Sequence, residues 1–302
     1  MEFSNISKAM RRKNLKKTNV RKFLNKIPQE IREYLEEGFL QDGPMDETKK
    51  NVVINYFLKT SAIARAINKD RGGAEIFYYL YNKLSNGHLD EYYLVSGSGN
   101  QIYRRLQVMV EKIPVIIRKY FPIGAVLVNN VASGQGYDMI YALRDNEDLR
   151  TRVHVNNIDP NERALQQGWE KIIEYGLENN FSLFNDTFKS YSGSKSELCI
   201  VSGVFCPMST RLSRKMLHEI IVPNFIKERA FLLYNATTYE MLLQESFTDY
   251  TMRLLNWNMG FKTLVDIRYI CEDLFEIKEE FADTDDEERI MGFNHMVVAQ
   301  KK

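Results

Sequence analysis

The sequence predicts an α/β chain: a doubly wound, largely parallel sheet behind a helical amino-terminal region. Three observations carry this. From about residue 122 onward, short apolar runs alternate with amphipathic stretches. The stretches between the first five runs are long enough to be the crossovers that parallel strands require. Before residue 120, apolar positions instead recur three and four apart, as on helices. A chain of 302 residues that is 44% hydrophobic can bury one large core, or one core with a helical annex.

The elements follow in order. Residues 1–26 hold nine Lys or Arg against the single acid Glu2 and read as a basic arm, solvated unless it meets phosphates. Ile31, Tyr34, Leu35 and Phe39, and later Ile102, Leu106, Val110 and Ile113, mark helical faces. Turn residues within 84–100 interrupt the pattern, and Pro122 with Gly124 ends it. The expected division is therefore a helical region over 1–120 and a sheet domain over 121–302. Strand candidates are 125–131, 152–158, 181–186, 197–203, 230–236, 262–270 and 295–301, with helices over 160–176 and 208–227. Between the last two strand candidates lies an acidic, poorly periodic segment, with ten acids in 272–288.

Composition excludes several classes. Lys plus Arg (41) balance Asp plus Glu (40), so the whole chain has no field to gather nucleic acid or an anionic membrane. Cys199, Cys206 and Cys271 lack any CxxC spacing, which argues against a disulfide framework or a zinc site and for a reducing, cytoplasmic setting. No apolar run reaches the length of a membrane span, and the basic amino terminus is not followed by the apolar stretch of an export signal. No metal site is expected.

The first apolar run leads into a small-residue turn, Ala132, Ser133, Gly134, Gln135 and Gly136, and then a helix. In doubly wound sheets ligands sit at the carboxyl ends of the strands, and this first turn is the usual anchor. Small residues admit a ligand close to the backbone, and N–H groups at the helix start favour an anionic group. A tight turn with no ligand is the alternative. Asp159 ends the second run 23 residues after Gly136, where an acid can accept hydrogen bonds from ribose hydroxyls. It could equally cap the helix expected to begin near Pro160.

Together these features resemble the class I S-adenosylmethionine-dependent methyltransferases, over about residues 122–302. The family's acid-x-Gly-x-Gly-x-Gly motif falls on Asn130 through Gly136, with Asn130 in place of the acid and Ala132 in place of the first glycine. The resemblance implies a seven-stranded sheet closed by an antiparallel last strand, the run ending the chain. It implies S-adenosylmethionine as cofactor, held by Asn130, Ala132, Ser133, Gly134 and Gly136, by Asp159 at the ribose, by Asp186 at the adenine amino group, and by Ser202 and Gly203 after the fourth strand. The loop from Ser202 to Met208 then borders the methyl acceptor. NAD is the competing cofactor, but a dinucleotide fingerprint needs a third glycine where Met139 stands.

The function this implies is methyl transfer to a small or lipid-like molecule. His218 is the candidate base if the acceptor is a hydroxyl. The aromatics of 75–95, notably Tyr92 and Tyr93 beside the "SGSG" at 96–99, are expected to close over the acceptor as a lid, core packing being the alternative. RNA methylation, drawing on the basic arm, and a non-catalytic binding protein on the same fold are the rival readings.

Overall fold

The computed structural model describes residues 6–41, 44–70, 73–284 and 290–302. Glu2 and acids 285–288 of the expected acidic segment lie outside the described residues. Two compact units form: Met1–Tyr103 with Tyr239–Met259, and Arg104–Thr238 with Gly260–Lys302. The division at 103/104 falls within the helix Gly97–Tyr120 rather than at its end near residue 120, and the first unit also takes in 239–259.

The first unit is helical. Its helices are Lys8–Leu15, Thr18–Leu24, Gln29–Leu40, Glu47–Thr60, Ala62–Lys69, Ala74–Tyr81 and His88–Val95, joined by Tyr239–Gln244 and Ser246–Leu254. The basic segment is not an arm where it is described. Residues 8–24 form two helices whose inner side buries Val20, Phe23 and Leu24. Arg11 is buried as well, donating to the Gln41 carbonyl at 2.7 Å, and the Asn14 side chain donates to the Leu243 carbonyl at 3.3 Å. The helical period places Lys8, Arg12, Lys13, Lys16, Arg21 and Lys22 outward, where they remain exposed.

Tyr92 and Tyr93 belong to the core of this unit, which corrects their reading as a lid. They are 2% and 3% exposed, and their hydroxyls bond Thr248 Oγ1 at 2.6 Å and Thr251 Oγ1 at 3.2 Å. Tyr92 also stacks on Phe23, with centroids 5.0 Å apart. The neighbouring "SGSG" is the start of the helix Gly97–Tyr120, with Ser96 Oγ accepting the Gly99 N–H at 3.1 Å. A side chain at Gly99 would overlap the Tyr93 carbonyl, so close backbone approach accounts for this glycine.

The second unit is built on a seven-stranded sheet: β1 (Val126–Val131), β2 (Val153–Ile158), β3 (Phe181–Phe184), β4 (Ser196–Val201), β5 (Ile226–Thr237), β6 (Phe275–Thr284) and β7 (Ile290–Lys301). Their spatial order is β3-β2-β1-β4-β5-β7-β6. The first five strands pair in parallel, and β7 runs antiparallel to both β5 and β6, as the resemblance implies. β1, β2 and β4 are buried on nearly every residue, as in a sheet covered on both faces, and they read as mostly apolar runs interrupted by the Asn pairs of β1 and β2. One crossover is the helix Glu162–Glu174. Another is Thr210–Met216, continued through a π turn at Leu217–Ile221 into Val222–Phe225. Pro223 lies two residues after that π turn, and its missing N–H breaks the α-helical ladder in any case.

One expected strand is a helix. Within 262–270, Leu264–Tyr269 is helical, started by a reciprocal capping pair between Thr263 and Asp266. It buries Ile267, with Ile270 and Cys271 beyond its end, and leaves Val265 73% exposed. The sixth strand lies instead in the acidic segment. β6 is an edge strand with one neighbour, so its charges sit at the rim, where Glu280 pairs with Arg268 at 2.9 Å and Glu279 with Lys119 at 2.7 Å. Among the described residues, no helix is long and apolar enough to cross a membrane.

Candidate functional site

The carboxyl ends of β1 and β2 carry a paired repeat, Val-Asn-Asn-Val and Val-Asn-Asn-Ile, in direct register. Asn156 Nδ2 donates to Asn129 Oδ1 at 2.9 Å, and Asn130 Nδ2 to Asn157 Oδ1 at 3.1 Å. Four buried amides between apolar neighbours are tolerated because they satisfy one another across the strands. Asn130 also donates to Asp138 Oδ1 at 2.9 Å. Asp138, in the first turn of the helix Tyr137–Arg144, accepts the Met139 N–H at 2.8 Å, and burial raises its pKa. A carboxyl group thus stands beside Asn130, supplied from eight residues further on.

The turn between β1 and that helix is left-handed at three positions: Ala132 (φ 51°), Gly134 (φ 54°) and Gly136 (φ 69°). A Cβ on Gly136 would lie 2.8 Å from the Asn157 side-chain carbon, so glycine here serves both the backbone and the amide pair beneath it. A Cβ on Gly134 would meet nothing within 4 Å, so the turn is open at that point. Three N–H groups of this turn are engaged internally, ahead of the helix start where an anionic group was expected to sit. Ser133 N–H donates to the Ile158 carbonyl at 3.2 Å, Gly136 N–H to the Ser133 carbonyl at 2.8 Å, and Gly134 N–H to Asp159 Oδ2 at 2.8 Å.

Asp159 is therefore tied to the turn. Its other oxygen accepts the Asn161 N–H at 2.8 Å, and Asn161, not Asp159, caps the helix Glu162–Glu174. These bonds fix the orientation of the carboxylate. Asp186 lies two residues past β3, half-buried, and its neighbour Asn185 donates to the Asp159 carbonyl at 3.2 Å. The third strand's loop is thereby held against the second's.

After β4, Ser202 and Gly203 open a loop pinned from several sides. Gly203 has φ 80°, and its N–H donates to Asn235 Oδ1 at 2.7 Å. The Arg105 guanidinium lies over Gly203, 3.2 Å from where a Cβ would project. Further along, Lys262 Nζ donates to the carbonyls of Phe205, Met208 and Gly260, each at 2.7 Å. Lys262 is 1% exposed, and burial pushes its pKa below the usual lysine range; the three carbonyls use all three donors of the ammonium. The Gly260 N–H donates to the Cys206 carbonyl at 2.7 Å, completing the brace.

Sheet order, strand directions and a glycine turn braced by an acid at the end of β2 can be set beside solved structures. No family model matches the chain, and no curated protein matches it by sequence. Magnesium protoporphyrin IX methyltransferase from Synechocystis PCC 6803, with SAH bound, is similar over 84% of this chain and 99% of its own, with a TM-score of 0.56 and 15% identity. The same enzyme with SAM bound is similar over 87% of this chain, with a TM-score of 0.53. A protein from Bordetella parapertussis, described as a possible exported protein, covers 93% of this chain and 96% of its own, with a TM-score of 0.61 and 15% identity. The chain has the class I methyltransferase fold.

Within this fold, Asn130, Ala132, Ser133, Gly134, Gly136 and Asp159 lie together at the ends of β1 and β2, with Asp186 on the loop beside them, while Ser202 and Gly203 sit at the end of adjacent β4. His218 is placed apart from them, in the π turn well along the crossover from β4. There burial and the Arg214 charge lower its pKa. Sequence reading missed Asn157, Asp138, Arg105, Asn235 and Lys262. The repeated Asn-Asn within two apolar runs was a usable signal for Asn157. The others are brought in by the fold from helices and strands with no local motif.

Proposed function

We propose that this chain is an S-adenosylmethionine-dependent methyltransferase acting on a small or lipid-like molecule. The observation that carries the reading is the Asp159–Gly134 bond: one carboxylate braces the first turn at the end of β2 while the space over Gly134 is open. Asp159 would hold the ribose hydroxyls, and Asp186 the adenine amino group. The left-handed turn from Ala132 to Gly136 would admit the cofactor against the backbone. Because the Ser133, Gly134 and Gly136 N–H groups are internally bonded, the positive charge for the cofactor's carboxylate would come from Arg105, buried beside Gly203. The Asp138 carboxyl, bonded to Asn130, would take the role of the acid that the motif lacks at residue 130.

Bound S-adenosylmethionine supplies an already activated methyl group on its sulfonium. The chain's work is then to orient the acceptor and exclude water, and proximity of this kind is worth about 7 to 11 kcal/mol in favourable cases. The Lys262 brace suits the loop from Ser202 to Met208 for that task. His218 has no part in the reading. Three buried, unpaired cysteines support a reducing, cytoplasmic setting.

A second reading, RNA methylation, draws on the exposed cations of 8–22. One experiment separates the three outcomes: incubation with methyl-labelled S-adenosylmethionine and, in parallel, a lipid extract, a polar small-molecule extract or total RNA. Label in either small-molecule fraction supports the proposal. Label in RNA alone reverses it, and cofactor binding with no transfer in any fraction identifies a non-catalytic binder.

A further inference from the structure

A directed line of amides crosses the second unit from its edge strand to the loop after β4. Asp283 on β6, Asn294 on β7 and Asn235 on β5 are each 0% exposed. Asp283 Oδ1 accepts the Asn294 N–H at 2.9 Å, and Asp283 Oδ2 lies 3.4 Å from Asn294 Nδ2. Asn294 Oδ1 accepts from Asn235 Nδ2 at 2.9 Å, and Asn235 Oδ1 accepts the Gly203 N–H at 2.7 Å.

The direction of this line is dictated by chemistry. At one end a backbone N–H can only donate, so Asn235 must turn its oxygen to Gly203 and its NH2 group to Asn294. Asn294 must then present oxygen to Asn235 and NH2 to Asp283, which as a carboxylate only accepts. Both ends therefore impose the same orientation, and each bond polarises the next in a dry interior. The consequence falls on one peptide. With the Gly203 N–H held toward Asn235, planarity turns the Ser202 carbonyl of the same peptide the opposite way.

Resting on the methyltransferase reading, we infer that Asp283, Asn294 and Asn235 are positioning residues: they fix the Ser202–Gly203 peptide so that it meets the amino-acid end of S-adenosylmethionine. None of the three touches the cofactor. Arg105 lies against Gly203 on the same segment, so the charged anchor and the positioned peptide occur at one place.

The test compares two ligands by calorimetry on the full chain. S-adenosylhomocysteine carries the amino-acid end and 5′-methylthioadenosine lacks it. Asn235→Leu, similar in volume but unable to accept from Gly203, should weaken S-adenosylhomocysteine about tenfold, the scale of one hydrogen bond involving a charged group, and leave methylthioadenosine within about twofold. Exchange of the Gly203 amide hydrogen should quicken. Asp283→Asn, isosteric and two strands away, should act in the same direction to a smaller degree and keeps the test open should Asn235→Leu fail to fold. Equal weakening of both ligands, or of neither, by a folded variant overturns the inference. Absence of S-adenosylhomocysteine binding to the unaltered chain would instead overturn the methyltransferase reading, and the inference with it.

Discussion

Adding one methyl group at Gly136 and at Gly134 should have opposite rank in stability and in binding. Both glycines have positive φ, so alanine at either costs about 1 kcal/mol in backbone energy. At Gly134 nothing lies within 4 Å of the new Cβ, and the cost stops there. At Gly136 the Cβ would come to 2.8 Å from the Asn157 side-chain carbon, and Asn157 is 1% exposed and held by its bond from Asn130. Overpacking of that kind adds about 1 to 3 kcal/mol. Loss of the 3.1 Å bond from Asn130 adds about 1 more. Gly136→Ala should therefore cost roughly 3 to 5 kcal/mol against about 1 for Gly134→Ala, read as a difference in urea midpoint under identical conditions. Calorimetry should give the reverse rank in its clearest form, with Gly134→Ala well folded yet impaired for S-adenosylhomocysteine because its methyl fills the ligand's space. Equal stabilities would refute the packing of Gly136 on Asn157. Full affinity in Gly134→Ala would refute the open turn as a cofactor cradle.

Further outcomes are expected elsewhere. Ala132→Gly should stabilise the second unit by about 0.5 to 1 kcal/mol, because Ala132 sits at φ 51°, and an unchanged urea midpoint would remove the strain. Burial raises the Asp249 carboxyl to about 6, so the folded chain holds an extra proton between about pH 4 and 6, and this contribution to stability is lost as pH rises through 6. The unaltered chain should accordingly lose on the order of 1 kcal/mol more than Asp249→Asn between about pH 5 and 7.5. A parallel pH dependence in the two would count against it. Deleting residues 1–26 removes Val20, Phe23 and Leu24 from the first unit's core and should make that unit protease-sensitive, whereas a mere arm would leave its resistance unchanged.

What the sequence disclosed and withheld follows from where each element lies. β1, β2 and β4 are buried on nearly every residue, so their runs are predominantly apolar and their order with the crossover helices was legible. β6 has a neighbour on one side only and can carry Glu276, Glu279 and Glu280, so its charge concealed it. The segment 262–270 misled in the other direction: its apolar residues lie on a short helix, and the Thr263–Asp266 pair that begins it was the better signal. Tyr92 and Tyr93 carry the same aromatic character whether they form a core or a lid. The placement of Phe23 against Tyr92, and of Thr248 and Thr251 more than 150 residues away in sequence, distinguishes the two. For the candidate site, Gly134, Gly136 and Asp159 were visible because they fall in one local pattern. Asp138 was hidden by the exchange of an acid at 130 for an amide bonded to an acid eight residues on.

In the proposed function Asp159 and the turn it braces hold S-adenosylmethionine. The most direct measurement is titration calorimetry of the full chain with S-adenosylmethionine, S-adenosylhomocysteine and NAD, repeated on Asp159→Ala. One-to-one binding of the first two and none of NAD is expected, with a loss of roughly 1 to 3 kcal/mol in the folded variant, the worth of hydrogen bonds to a charged acceptor. Binding of NAD, no binding of either sulfur compound, or unchanged affinity in Asp159→Ala would contradict it.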